Sequence, residues 1–172
     1  MGCDKALLPF RGAPLIRSVA RTVEAAAGSA RIVGNPERYG DIGYEVIADR
    51  YPGEGPLGGI LTALGTAAAA DWNLMVACDM PALTVEVLSG LFAAAEESDA
   101  DILVPLGPGG RLEALCAVYH RRSREALSAA FDRGVRKVTA AFEGLLVSTV
   151  TADLTAFENV NTPEEWAGYA AK

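Results

Sequence analysis

Histidine is almost missing from this sequence: His120 is the single one in 172 residues. The cysteines are few as well; Cys3, Cys78 and Cys116 are odd in number, far apart and never arranged as C-x-x-C. Such a set supports neither a disulfide framework nor an ordinary zinc site, and it points to a reduced, cytoplasmic protein. Positive charge is in deficit, with 15 basic against 22 acidic side chains and a net charge of −7. That balance argues against a general nucleic-acid or membrane-surface binder. It leaves room for a phosphate ligand, because backbone amides and Mg²⁺ neutralise phosphates locally. No apolar run approaches the roughly 20 residues that cross a bilayer. The Met1-Gly2 start has Ala6 where a myristoylation signal wants Ser or Thr. Also missing are a G-x-x-x-x-G-K-[ST] loop, a G-x-G-x-x-G directly on a strand end (Gly53, Gly55 and Gly58 have that spacing but follow the loop residues 50–52) and a G-x-S-x-G elbow, which removes the P-loop, dinucleotide and α/β-hydrolase readings. There is no internal repeat, linker or low-complexity tract, so residues 1–172 are expected to form one domain.

What is present alternates between two periods. Leu15, Ile16, Val19, Ala20, Val23 and Ala27 recur at helical spacing from Pro14 and stop at Gly28. Ala30–Gly34 and Tyr44–Ala48 are short strand candidates, and four Pro or Gly breakers make 50–56 a loop. Pro56 suits the first position of a helix carrying Leu57, Ile60, Leu61, Leu64 and Ala68 on one face. Asn73–Cys78 is a continuous apolar run, expected to be a strand buried on both faces and stopped by Asp79-Met80-Pro81. A helix follows over Leu83–Ala95, then a strand at Asp101–Pro105 and a flexible turn at Gly107–Gly110. A strand over Leu112–Tyr119, a helix over Ser123–Arg133 and a strand over Leu145–Val150 come next. Thr162, Pro163 and Glu165 spell a capping box for a last helix. Strands alternating with amphipathic helices imply an α/β architecture with a mainly parallel sheet.

In open parallel sheets, ligands gather beyond the carboxyl ends of the strands. Asn35, Asp49 and Asp79 each follow a strand candidate. Asp79 is the most telling, since a carboxylate fixed between a buried strand and Met-Pro can hold a hard cation such as Mg²⁺. Alternatively it only ends the strand or caps the next helix. Lys5, beside Asp4, is either a phosphate-contacting lysine or a solvated one. The glycines of 53–59 could bring backbone close to a base or ribose. Arg121, Arg122 and Arg124 read as a solvated helix face, and His120 as a strand-end residue rather than a base. Strand-end acids with a lysine suit nucleotidyl transfer better than hydrolysis or redox chemistry. A phosphohydrolase with Asp79 as nucleophile would usually place a second acid where Pro81 stands.

Taken in order, the pieces resemble the molybdenum cofactor guanylyltransferase family. They are Met1-Gly-Cys-Asp-Lys5-Ala-Leu-Leu-Pro, Gly12-Ala-Pro-Leu-Ile16, Asn35 with Tyr39, Val46-Ile-Ala-Asp49 and Gly55-Pro-Leu-Gly-Gly-Ile60. Ala77-Cys-Asp79-Met-Pro81, Leu112-Glu-Ala-Leu115 with Tyr119, and Phe157-Glu-Asn159-Val-Asn161-Thr-Pro-Glu164 complete the set. The resemblance implies a three-layer, Rossmann-like nucleotidyltransferase fold with helices on both faces of the sheet. It implies transfer of GMP from GTP to molybdopterin, with release of pyrophosphate and Mg²⁺ as cofactor. Lys5 would contact the nucleotide phosphates, Asn35 and Asp49 the guanosine, Asp79 the metal, and Asn159 and Asn161 the pterin side. Partners would be GTP, molybdopterin and molybdoenzyme-assembly proteins, with neither nucleic acid nor membrane. Family members open with a strand and a loop of the form Leu-Ala-Gly-Gly-x-Ser-x-Arg-Met-Gly. Met1-Gly2 matches the end of that loop, so the domain is expected to be incomplete at its amino end. A related cytidylyl- or sugar-nucleotide transferase, and an inactive nucleotide-binding or adaptor relative, stay open as alternatives.

Overall fold

The computed structural model describes residues 4–66, 69–151 and Phe157. A hairpin of β1 (Pro9–Phe10) and β2 (Ala13–Pro14) leads into α1 (Leu15–Ala27), followed by β3 (Arg31–Gly34), the short α2 (Pro36–Tyr39) and β4 (Glu45–Ala48). Next come α3 (Pro56–Leu64), β5 (Trp72–Val76), α4 (Val85–Glu96) and β6 (Ile102–Leu106). The described chain closes with β7 (Cys116–His120), α5 (Arg124–Asp132) and β8 (Val147–Thr151).

Local chemistry sets most boundaries. α1 buries Leu15, Val19 and Ala20, and ends at Gly28, whose φ of 78° only glycine adopts without strain. α3 starts on Pro56, where a missing N–H costs nothing. α4 is capped by Thr84, whose hydroxyl accepts from Val87 N at 3.4 Å. Ala68 of the expected α3 face, and the capping box at 162–165, lie outside the described residues.

Alternation along β6 and β7 divides the core into two layers. Ile102, Val104, Ala117 and Tyr119 face α3 and α5, joining Leu57, Ile60, Leu61, Leu127 and Phe131. Leu103, Cys116 and Val118 face the other way, against Leu88, Leu91 and Ala95 of α4, with Val23 and Ala26 of α1 packed alongside. Helices therefore cover both faces, which gives the expected three-layer α/β fold.

The sheet is mixed. β3 pairs with β4 in parallel, and β6 pairs with β8 in parallel, but β7 runs antiparallel between β5 and β6. The stretch from Gly107 to Leu115 explains the reversal. It is too short for the dozen or more residues of a parallel crossover, so the chain turns straight back. The expected strand over Leu112–Tyr119 accordingly divides. Leu112 bridges Leu106, a turn follows, and β7 starts at Cys116.

β5 departs from its expectation of burial on both faces. All five of its residues are only half-buried, whereas β6 and β7 are buried along four of their five residues. The cause is topological: among the described residues β5 is paired along one edge only, to β7, and β3 along one edge only, to β4.

Candidate active site at the carboxyl rim of the strands

At the end of β3 the chain makes three commitments in six residues. Asn35 caps α2, its side-chain oxygen accepting from Glu37 N at 2.9 Å, with Pro36 at the first helical position. Tyr39 then folds back over Gly34; a methyl at Gly34 would come within 2.9 Å of the Tyr39 ring carbons, so glycine is required there by space. The Tyr39 hydroxyl donates to Asp4 Oδ2 at 2.7 Å, and Arg38 Nε meets the same oxygen at 2.7 Å. The other carboxylate oxygen of Asp4 accepts from Ala6 N at 3.1 Å and caps the turn Lys5–Leu7. Asp4 thus fastens the amino-terminal segment, with Lys5, to the end of β3. Burial, followed by the hydrogen bond to Asp4 and its negative charge, pushes the Tyr39 phenol up to about 12.

β4 ends beside it. Asp49 N donates to Gly34 O at 3.2 Å, continuing the ladder past the strands. One oxygen of Asp49 accepts from Tyr51 N at 3.0 Å and from the Thr62 hydroxyl at 3.1 Å; that hydroxyl, fully buried in α3, in turn accepts from Arg50 N at 3.1 Å. The loop that follows is pinned twice more. Tyr51 lies 4.7 Å from the Phe131 ring, and Glu54 pairs with Arg136 at 2.6 Å. The glycine-rich start of α3 is thereby held in a fixed position at the rim.

β5 delivers Cys78 and Asp79. Ala77 N is held by Leu115 O at 2.8 Å, and Met80 is 2 % exposed, so Asp79 is half-buried between two anchored neighbours. Burial first, then the negative charges of Asp79 and Asp4, push the Cys78 thiol up to about 11, with Lys5 acting in the opposite sense. Tyr39 also feels Cys78. These mutual influences place Asp4, Lys5, Tyr39, Cys78 and Asp79 around one spot, where the ends of β3 and β5 meet. Lys5, Asn35, Asp49 and Asp79 therefore share the carboxyl rim, whereas Asn159 and Asn161 lie outside the described residues.

Among the described residues, no group of three or more His, Cys, Asp or Glu side chains could hold a metal ion. What the rim offers is the carboxylate of Asp79, since both oxygens of Asp4 are already engaged by Ala6, Tyr39 and Arg38. That donor set suits Mg²⁺, which keeps waters and needs only one or two carboxylates besides phosphate oxygens.

The arginine cluster lies elsewhere and is only partly a solvated face. Arg122 bonds Asp101 at 2.6 Å and the carbonyls of Asp99 and Ala100 at 2.6 and 2.8 Å, while Arg121 approaches Asp71 at 3.9 Å. His120 closes β7 against Trp72, at the end of β5 opposite Asp79. Its Nδ1 accepts from Arg122 N at 3.2 Å.

Two groups were not marked as candidates by the sequence. Asp4 is one, since its partners lie 35 residues away and leave no local pattern. Glu113 is the other: only 5 % exposed, it meets Arg111 Nη2 at 2.8 Å. A charged residue inside the apolar stretch Leu112–Leu115 was the available signal.

A three-layer α/β domain that gathers carboxylates and a lysine beyond its strand ends belongs to the nucleotide-handling class. The comparisons name the branch. Residues 1–146 match the MobA-like NTP transferase domain, and the chain belongs to that family of nucleotidyltransferases. It is 32 % identical to a molybdenum cofactor guanylyltransferase of Shewanella sp. (strain ANA-3), over 99 % of this chain and 88 % of that protein. The corresponding Xanthomonas euvesicatoria protein is 31 % identical, over 97 % of this chain and 86 % of that one. In structure it is similar to molybdopterin-guanine dinucleotide biosynthesis protein A from Archaeoglobus fulgidus. The TM-score is 0.81, with 26 % identity and coverage of 99 % of this chain and 90 % of that one. No helix of the described residues is long and apolar enough to cross a membrane.

Proposed function

We propose that this protein transfers GMP from GTP to the phosphate of molybdopterin, releasing pyrophosphate, as a cytoplasmic enzyme that also meets molybdoenzyme-assembly proteins. The observation that carries the reading is the gathering of Lys5, Asn35, Asp49 and Asp79 at one rim. A terminal phosphate oxygen of the acceptor attacks the α-phosphorus of GTP in line. One P–O bond forms, the bond to the β-phosphate bridge oxygen breaks, and its electron pair leaves with pyrophosphate. Positioning and charge neutralisation supply the catalysis, and no covalent protein intermediate is required.

In this reading Lys5 offsets charge on the phosphates, held there by the fastening of Asp4 to Arg38 and Tyr39. Asp79 would hold Mg²⁺, which would supply charge neutralisation on the phosphate oxygens. Asp49 already accepts two hydrogen bonds on one oxygen, so its role toward guanosine is that of an acceptor in fixed orientation. Asn35 uses its side-chain oxygen as a helix cap and presents its NH₂ group to a base. Asn159 and Asn161 are assigned to the acceptor side.

Pyrophosphate release with molybdopterin and Mg²⁺, compared between GTP and CTP, tests the proposal. Release with GTP, at least about tenfold above that with CTP, or roughly 1.4 kcal/mol of discrimination, is expected. Equal use of the two nucleotides overturns the guanine assignment, and release with neither overturns the transfer reading.

A further inference from the structure

Glu113 is a buried carboxylate that no step of the transfer uses, and it lies on the same rim as Asp79. β5 and β6 both run antiparallel to β7, so their carboxyl ends lie together. The turn from Gly107 to Leu115 joins β6 to β7 at that end. Its last residue, Leu115, accepts from Ala77 N at 2.8 Å, two positions before Asp79. Across the rim the order is β3, a cleft of about 840 Å³, then β5, β7 and β6. Asn35 and Asp49 therefore stand on one side of Asp79, and Glu113 on the other.

The turn is built to hold one arginine. Gly107 N donates to Arg111 O at 2.7 Å, and Gly109 and Gly110 take φ of 70° and 76°, where glycine is favoured. Glu113 N donates to Pro105 O at 3.0 Å, and a side chain at Gly107 would overlap the Glu113 carboxyl group. Oε1 of Glu113 accepts from Arg111 Nε at 2.9 Å and lies 2.8 Å from Nη2. The pair is lopsided: the Glu113 side chain is 6 % exposed and that of Arg111 64 %. A solvated pair such as Arg31–Glu45, at 35 % and 64 %, leaves its acid open. Withdrawing a carboxylate from water is costly, and pairing with an exposed cation returns little of that cost. What the arrangement secures is direction. One edge of a long, flexible side chain is fixed, and Nη1 has no partner among the described residues. Nη1 and the second hydrogen of Nη2 still offer two parallel donors, the geometry that suits a phosphate.

We propose that Arg111, oriented by Glu113, receives the phosphate monoester of the acceptor on the β6–β7 side of Asp79. This assignment rests on the transfer reading, in which the nucleotide takes the β3–β4 side and leaves the other side of Asp79 to the acceptor. Arg111 is then the binding residue and Glu113 its positioning residue.

Binding of molybdopterin and of its dephosphorylated form, each titrated without GTP under anaerobic conditions, tests the proposal. Arg111→Ala is expected to weaken molybdopterin at least about tenfold, as loss of a charge-assisted contact does, and to leave the dephosphorylated form unchanged. Arg111→Lys should recover part of the loss, since it keeps the charge without the fork. Glu113→Gln should also weaken the phosphorylated ligand alone, and should cost nothing further in the Arg111→Ala background. That dependence separates orientation of Arg111 from a role in packing. Arg121→Ala, at the opposite end of β7, should change neither ligand. Should Glu113→Gln not fold, the two variants of the exposed Arg111 side chain decide alone. Equal losses for the two ligands, no loss, or a loss that falls on GTP overturns the proposal. So does an unaltered protein that binds both forms equally, or neither. Failure of the transfer reading is read separately, as no pyrophosphate release from GTP and molybdopterin by a chain whose phosphate-dependent binding still runs through Arg111.

Discussion

Two of the site residues found by their position after a strand turned out to be doing local work. Asn35 caps α2 and Asp49 takes hydrogen bonds from Tyr51 and Thr62. Both are short polar side chains at strand ends, and strand ends are also where caps and turns need such side chains. Sequence position identifies the rim but does not separate the two duties. Asp79 is different, because its own neighbours Met80 and Pro81 are buried and it adjoins Cys78, whose thiol feels the charges of both Asp79 and Asp4. If it anchors Mg²⁺ in nucleotidyl transfer, Asp79→Asn should lower turnover by at least about 100-fold, roughly 2.7 kcal/mol of barrier. The melting temperature should stay near that of the unaltered chain, since the side chain serves the ligand rather than the core. A loss below about tenfold is too small for that role. Asp4 shows the converse case. Its partners are Arg38 and Tyr39, and nothing in the local pattern around residue 4 announces a contact so distant in sequence.

Periodicity and punctuation located every described helix and strand of the main layers, because signals such as Gly28 and Pro56 act within a turn of themselves. Strand direction is not a local property. β7 runs antiparallel because its connection is short, and that argument needs β6 and β7 already placed side by side. The elements are then tied by side chains whose pairing is also non-local, and Asp101 is the chief example. From the start of β6 its carboxylate accepts from Arg122 Nε at 2.6 Å and from Leu146 N at 2.9 Å, just before β8. Burial acts to raise its pKa. The hydrogen bonds from Arg122 and Leu146 and the charge of Arg122 outweigh this and hold it below 3.8. A carboxyl group depressed in the folded state adds stability above its unfolded pKa, and that stability is lost as pH falls through the folded value. The Asp101→Asn variant should therefore be less stable at pH 7, by about 1 kcal/mol for a partly exposed pair. The deficit should shrink as the pH drops below about 4, near the ordinary aspartate range. A deficit in the melting temperature that is constant from pH 7 to pH 2 would show that charge at this position does not couple β6 to β8.

On the scale of the whole molecule, the sheet is divided, and the two parts are unequally supported. β6 and β7 lie between two apolar clusters, with Ile102, Val104, Cys116, Ala117, Val118 and Tyr119 all fully buried. The β3–β4 pair holds one buried residue, Ile32, and is joined to the remainder through α2, α3 and the Asp4 contacts. Composition and periodicity could not reveal this imbalance, since Ala30–Gly34 and Asn73–Cys78 look equally strand-like; it arises from which edges find partners. Cooperative opening units follow such differences in buried contact. Native-state hydrogen exchange should show amides of β6 and β7 opening only with global unfolding, and those of 31–34 and 45–48 opening at a lower free energy. A core substitution distinguishes the two units. Leu88 of α4 is fully buried among Leu103 and Val118 of the second cluster. The Leu88→Ala change should lower the opening energy of β6 and β7 by about 2–5 kcal/mol, the usual cost of removing buried methyl groups from a core. The smaller opening energy of β3 and β4 should stay unchanged as long as it remains below the global value, because that local event exposes no part of the cluster around Leu88. If all four strands share one opening energy and fall together in Leu88→Ala, the sheet unfolds as a single unit and the cleft between β3 and β5 imposes no boundary on cooperativity.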